Sequence, residues 1–278
     1  MRRRLMGRVV LLTGATRGIG RRVALALQPH GVKLAIVGRT ADELESLAVE
    51  LRKTGTEVAA FPCDLTDGVA REKLVADVVA RFGGIDVLLY AAGVASFGEF
   101  ASSTPEVLRK VMAINFFAPA ELIRLCVPHL VKSWQKGPDG WRPAVLLVAS
   151  LCGRVGIPSL SEHSGSKHAI VGLCEALRCE FERNAIDVLL VLPGVVRSDD
   201  MNRHLLRNEG KIYLDFEGAQ RPESVAVTVV NSLVRNRKET ASGFVSWWAW
   251  FGKRAWPRGI RRIMWKKVER YARRHGTA

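Results

Sequence analysis

The sequence predicts an α/β protein built as a doubly wound parallel sheet with helices on both faces. Three observations carry that expectation. Short apolar runs at 8–12, 33–37, 58–61, 87–90, 145–149 and 188–192 alternate with helical patterns. The runs are near-continuously apolar, as strands covered on both faces must be. A glycine-rich turn joins the first run to the first helical pattern, the place where such sheets take ligands. With 278 residues, 48% of them hydrophobic, the chain has core enough for one such domain, which excludes disordered and collagen-like classes.

The first strand, 8–12, leads through the glycine turn into a helix at 19–28 that Pro29 closes. After the strand 33–37, Thr40 and Glu43 make a capping-box pattern for a helix through Lys53, with Gly55 as its terminator. Helical patterns at 66–82, 105–132 and 164–184 separate the remaining strands. Residues 136–143, with two glycines and two prolines, read as a surface loop. After Pro193 the pattern loosens: 198–220 is polar and irregular, 222–234 helical, 241–245 a last strand. An aromatic run at 247–251 precedes a helix at 257–274. On it Ile260, Ile263, Met264, Val268 and Tyr271 share one stripe among Arg and Lys, which makes it basic and amphipathic. With no internal repeat, the economical division is one dinucleotide-binding domain, 1–245, and a C-terminal extension, 246–278.

Five cysteines, Cys63, Cys126, Cys152, Cys174 and Cys179, show no CxxC or Cys/His spacing, which argues against disulfide and zinc frameworks. No stretch holds the roughly 18 unbroken apolar residues of a spanning helix, and Met1-Arg2-Arg3-Arg4 runs into a strand without a signal-peptide core. A cytoplasmic address is expected. The net charge of +15 is unevenly placed: residues 247–278 hold ten basic residues against one acid, Glu269, and Arg2, Arg3, Arg4 and Arg8 sit at the other end. The body between is left near +2, an ordinary value for a small domain.

Thr13-Gly14-Ala15-Thr16-Arg17-Gly18-Ile19-Gly20 lies between the predicted first strand and first helix. In that position Gly14 permits the tight turn and Gly18 lets backbone N–H groups approach a pyrophosphate. Gly20 lets the helix pack on the strand, and the helix N-terminus faces the phosphates. The second strand ends on Val37-Gly38-Arg39-Thr40, with no carboxylate for a ribose diol. Arg39, with Arg17 as a second positive charge, suits a 2′-phosphate, so NADP(H) is preferred over NAD(H). Asp64, after the third strand, is placed to accept from an adenine amino group.

Residues 7–245 thereby resemble the short-chain dehydrogenase/reductase family, in order and in spacing. TGATRGIG is similar to its TGxxxGxG cofactor turn, Asp64 with Leu65 to its adenine contact, and Ala91-Ala92-Gly93 to the latter part of its NNAG strand end. Asn115, Ser150 and Lys167 match three members of its catalytic tetrad. Pro193-Gly194-Val195-Val196-Arg197-Ser198 is similar to its PGxVxT nicotinamide loop. The resemblance implies a Rossmann-like fold, a homodimer or homotetramer, and an oxidoreductase that interconverts a small-molecule carbonyl and an alcohol. It also implies cofactor contacts from Ala91, Gly93, Lys167, Pro193, Gly194, Val196 and Ser198.

In that family a tyrosine thirteen residues after the serine protonates the substrate oxygen, and a lysine four residues later lowers its pKa and holds the ribose. The serine orients the carbonyl, and the asparagine supports a water-linked proton relay. Here the thirteenth residue after Ser150 is His163, followed by Lys167 on the same helical face. None of the chain's three tyrosines, Tyr90, Tyr213 and Tyr271, precedes a lysine by four. The first two NNAG positions are also changed, to Tyr90 and Ala91. An imidazolium beside Lys167 is disfavoured, so neutral imidazole is the expected resting state. Three readings stay open: a reductase with histidine as substitute acid, a nucleotide-binding pseudoenzyme, or a tyrosine-to-histidine change in an otherwise ordinary enzyme.

The C-terminal extension holds five of the seven tryptophans, Trp247, Trp248, Trp250, Trp256 and Trp265, among its cations. Indoles and cations beside an apolar stripe are what an interfacial helix on an anionic membrane needs, and a hydrophobic substrate would follow. Packing on the protein's own body or on a second subunit accounts for the same pattern. No groove-reading motif accompanies the charge, which argues against nucleic acid.

Overall fold

Each strand runs parallel to its neighbours in the computed structural model of the chain, which describes residues 2–138, 140–197, 205–206 and 219–275. Among the described residues the strands are β1 (Val9–Thr13), β2 (Lys33–Gly38), β3 (Glu57–Pro62), β4 (Val87–Tyr90), β5 (Ala144–Val148), β6 (Asp187–Pro193) and β7 (Glu239–Ser242). Their spatial order is β3-β2-β1-β4-β5-β6-β7. The helices are α1 (Gly18–Leu27), α2 (Ala41–Arg52), α3 (Gly68–Phe82), α4 (Pro105–Met112), α5 (Ala118–Lys136), α6 (Ser161–Glu180), α7 (Pro222–Val234), α8 (Phe244–Ala255) and α9 (Pro257–His275).

The alternation of side chains along β1 sorts the core into two layers. Val10 and Leu12 join α1, α2 and α7 through Val23, Leu47 and Val229, while Val9 and Leu11 join α3, α5 and α6 through Val75, Leu122 and Val171. Both faces are therefore sealed, which is why the strands read as unbroken apolar runs. From β1 the chain winds outward through β2 and β3, then returns to β4 on β1's other side. The crevice at the C-terminal ends of β1 and β4 is the topological switch point where open α/β sheets bind ligands.

Three local expectations are corrected. Thr40 takes the N-cap position of α2, but its side chain accepts no first-turn hydrogen bond, so the capping box does not form. Glu43 turns instead to Arg17, 3.0 Å away. The helix foreseen at 105–132 is two helices joined by a single π-turn, Ala113–Phe117, where the Tyr90 hydroxyl donates to the Ile114 carbonyl across 2.8 Å. The last strand is earlier than 241–245, because Gly243 turns at φ +84 and the aromatic run beyond it is wound into α8. Two of the N-terminal arginines are engaged by the body of the protein. Arg3 is buried on Asp187 at 2.6 Å, and Arg8 lies 4.0 Å over the Trp141 ring.

The continuous helical run through α4 and α5 is long and apolar enough to cross a membrane by length and composition. Ala118, Leu122, Ile123, Cys126 and Leu130 on it are buried in the core beneath the sheet.

Candidate active site

Close backbone packing shapes the glycine turn. Gly14 and Gly18 hold φ of +67 and +52, the left-handed region that costs glycine little. A Cβ at Gly14 would lie 2.7 Å from the Ala92 nitrogen, and one at Gly20 would lie 2.0 Å from the Gly14 oxygen. The turn is thereby wedged between α1 and the end of β4. Over Gly18, by contrast, a Cβ would meet nothing within 4 Å. Helix α1 starts behind it with no side-chain cap and no acid in its first turn, which leaves its N–H groups and positive end directed at that space. A pyrophosphate fits such a cradle. Thr16 packs beside Gly38, and Ile19 lies half-buried against the core.

Thr16 and Arg17 line an open cleft of about 420 Å³ together with Arg21, Asp42, Glu43 and Ser46. Arg17 enters it already engaged by Glu43, so its charge is not the unopposed one that the sequence implied. Arg39 projects into solvent at the end of β2. The Asp64 carboxyl is held below the usual range by the Thr66 N–H and hydroxyl, at 2.9 and 2.8 Å, and to a smaller degree by Arg39. Leu65 is buried, and its carbonyl accepts from Arg71 at 2.7 Å.

Across the crevice the four candidate catalytic residues come from three elements, and the 93–94 turn joins three of them. Asn115, buried in the π-turn, brackets the Val94 peptide: its Oδ1 accepts from the Val94 N–H at 3.0 Å and its Nδ2 donates to the Val94 carbonyl at 2.9 Å. The same Nδ2 donates to the Ser166 hydroxyl at 3.0 Å. With both ends of its amide engaged, Asn115 positions this turn. Nδ1 of His163, on α6, lies 3.0 Å from the same Val94 carbonyl. Since a carbonyl only accepts, Nδ1 carries the proton and Nε2 of the neutral ring keeps a lone pair.

Burial pushes the imidazole down to about 4, with the Lys167 charge adding to the effect and the Val94 carbonyl opposing it. Lys167, one helical turn on, is buried and lowered to about 8 by desolvation, and its Nζ donates to the Val148 carbonyl at 3.4 Å. A Cβ at Gly93 would lie 3.3 Å from Asn115 Oδ1 and 3.5 Å from Lys167 Nζ, so the turn runs directly beside both side chains. Ser150, past the end of β5, accepts from the Cys152 N–H at 3.1 Å, which leaves its own proton to donate elsewhere. Gly153 lets this loop meet α6, since a Cβ would stand 2.6 Å from the Lys167 carbonyl oxygen.

Pro193 ends β6 paired with Ser242, and the following strand end is pinned through Val196 and Gln220: Arg197 N–H donates to Gln220 at 2.8 Å, and Gln220 N–H to Val195 at 2.9 Å. Gly194 is half-buried between them. Ser198 lies outside the described residues, as does most of the irregular segment 198–220. Three supporting roles went unread in the sequence. Thr13 Oγ1 accepts from the Ala91 and Ala92 N–H groups at 3.2 and 3.3 Å, Ser166 anchors Asn115, and Val94 supplies the shared carbonyl. No sequence pattern marks Ser166 or Val94, because their roles arise from backbone brought together across elements.

Residues 8–210 match the family described as short chain dehydrogenase. Dehydrogenase/reductase SDR family member 7B of Mus musculus is 31% identical over 84% of this chain and 73% of the relative. An 11-beta-hydroxysteroid dehydrogenase-like 4A of Arabidopsis thaliana is 30% identical over 83% of this chain and 75% of its own length. Among solved structures, a short-chain dehydrogenase from Streptomyces avermitilis superposes with a TM-score of 0.77 at 26% identity, covering 95% of this chain and 97% of that one. A short chain dehydrogenase/reductase from Burkholderia phymatum, in complex with NAD, gives a TM-score of 0.76 at 23% identity, covering 86% and 90%.

Proposed function

The chain belongs to the short-chain dehydrogenase/reductase family of oxidoreductases, and from that premise we propose that it interconverts a carbonyl and an alcohol with NADP(H), His163 standing where the proton is exchanged. The convergence of Asn115, His163 and Lys167 on the 93–94 turn is the observation that carries this reading. The nicotinamide, when bound, supplies or accepts the hydride. Gly14, Gly18 and Gly20 with the start of α1 would hold its pyrophosphate. Lys167 would hold the ribose, and Pro193, Gly194 and Val196 would line the ring. The preference for NADP(H) is supported by the exposed Arg39 at the end of β2 and by Arg17, for which a 2′-phosphate competes with Glu43.

His163 decides what happens to the proton. In its neutral form Nε2 accepts the proton of an alcohol, while Val94 holds the ring in that tautomer and Ser150 donates to the substrate oxygen. In the reverse direction Nε2 must first be protonated. With the imidazole held near 4, only about one molecule in a thousand is ready at pH 7. Carbonyl reduction is therefore expected to quicken as pH falls from 7 toward 5. His163→Tyr should raise it at least tenfold at pH 7 and flatten that dependence. NADPH and NADH titrations of the parent and of Arg39→Ala, followed by turnover on a carbonyl panel, test the reading. Absence of NADPH binding would sink the cofactor assignment, and a tyrosine variant no faster than the parent would sink the role of His163. Tight NADPH binding without turnover by either protein would favour a nucleotide-binding protein that does no chemistry.

A further inference from the structure

From the exposed face of α8 and α9 we infer that these helices dock the protein on an anionic lipid surface, with the mouth of the candidate site beside the bilayer. Large apolar side chains keep about half or more of their surface exposed here, although Trp248 and Phe251 meet edge to face with ring centroids 6.2 Å apart. Trp248, Phe251, Trp256 and Trp265 are 48%, 50%, 64% and 59% exposed, and Ile263 is 44% exposed. Gly252 of α8 faces Ile260 of α9, and one side of the Trp256 ring lies against Gly259 at the corner. Around the exposed rings stand Lys253, Arg254, Arg258, Arg261, Arg262 and Lys266, all exposed, with Glu269 the sole acid in the two helices. Indoles at headgroup depth, flanked by cations and held on a 12-residue helix and a second one too densely charged to cross the bilayer, match the chemistry of a membrane interface.

The pair is fastened to the site. Lys253 Nζ donates to the Arg154 carbonyl at 2.6 Å, on the loop that begins with Ser150. On the other side Gly243, the turn into α8, abuts Gln220, whose side chain accepts from the Ser242 hydroxyl at 2.6 Å and whose backbone pairs with Val196. The serine loop is thus hydrogen-bonded to α8 directly, and the strand end after β6 reaches it through Gln220 and the turn between β7 and α8. A lipid surface that holds α8 and α9 therefore lies next to the opening between those loops.

Flotation of the full-length protein with phosphatidylglycerol-containing and pure phosphatidylcholine vesicles tests the inference. Binding is expected to the anionic vesicles at about 50 mM salt, and to weaken steeply by about 500 mM. Each basic side chain at such a surface strengthens binding about fivefold, so Arg258→Ser, Arg261→Ser and Arg262→Ser together predict about a hundredfold loss. The corresponding three Arg→Lys changes should retain it. Trp265→Ser should weaken binding to anionic vesicles while NADPH affinity stays at the parent value. These side chains are exposed, and unchanged thermal melting verifies that the variants fold. The inference is overturned if the parent stays unbound at low salt, or if the arginine variants float as well as the parent. It is also overturned if the variants convert a dimer to a monomer in sedimentation without changing flotation, which would assign the face to a second copy. Tighter binding of the parent to duplex DNA than to the vesicles at equal salt would assign it to nucleic acid.

Discussion

Burial and the Lys167 ammonium both act against a proton on His163, and the consequence reaches beyond catalysis. An unfolded histidine titrates near 6.5 and the folded one near 4, so between these values the unfolded chain binds more protons. Stability from this residue therefore falls as pH drops through that window. Lowering the pH from 7 to 5 should cost about 2 kcal/mol more in the parent than in His163→Gln, read by urea unfolding at both values. The position of His163 was legible from a count along the chain, thirteen residues past Ser150. Its tautomer was not, because that depends on a carbonyl sixty-nine residues away, at Val94. Arg17 teaches the same lesson: its charge is plain in the sequence, its engagement by Glu43 only in space.

At the scale of elements, the glycine turn separates two requirements that one motif combines. Gly20 is needed for packing, since a methyl group there would overlap the Gly14 carbonyl at 2.0 Å. Gly20→Ala should destabilise the protein by about 3 kcal/mol, seen as a lower melting temperature without any ligand. Gly18 has open space but a φ of +52. Gly18→Ala should cost only about 1–2 kcal/mol of stability while weakening NADPH binding at least tenfold, because the new methyl occupies the phosphate cradle. Strand and helix positions followed from apolar periodicity to within a few residues, as in β4 and α7, which matched at both ends. The π-turn at Asn115 did not follow, since it coincides with a hydrogen bond from Tyr90 that no local pattern encodes.

For the whole molecule, the charge of +15 divides differently in space than along the chain. The N-terminal arginines are partly structural: Arg3 reaches Asp187, 1% exposed, and donates to the Arg142 carbonyl at 3.0 Å. Arg3→Ala should therefore cost about 2 kcal/mol in urea unfolding, less than a fully orphaned buried charge, because Arg142 and Lys238 still face Asp187. At the C-terminal end Lys253, Arg254, Arg258, Arg261, Arg262 and Lys266 remain exposed. The amino-acid sequence by itself determined the doubly wound sheet, the glycine turn and the register of Ser150, His163 and Lys167, because periodicity, backbone freedom and helical spacing are local properties of a chain. Only the tertiary structure decided that Asn115 and His163 share one carbonyl, that Glu43 claims Arg17 rather than a helix cap, and that Arg3 is buried while Trp256 and Trp265 are exposed. Those outcomes are competitions among distant groups for the same partners and the same interior, and they have no value until the sheet has brought the groups together.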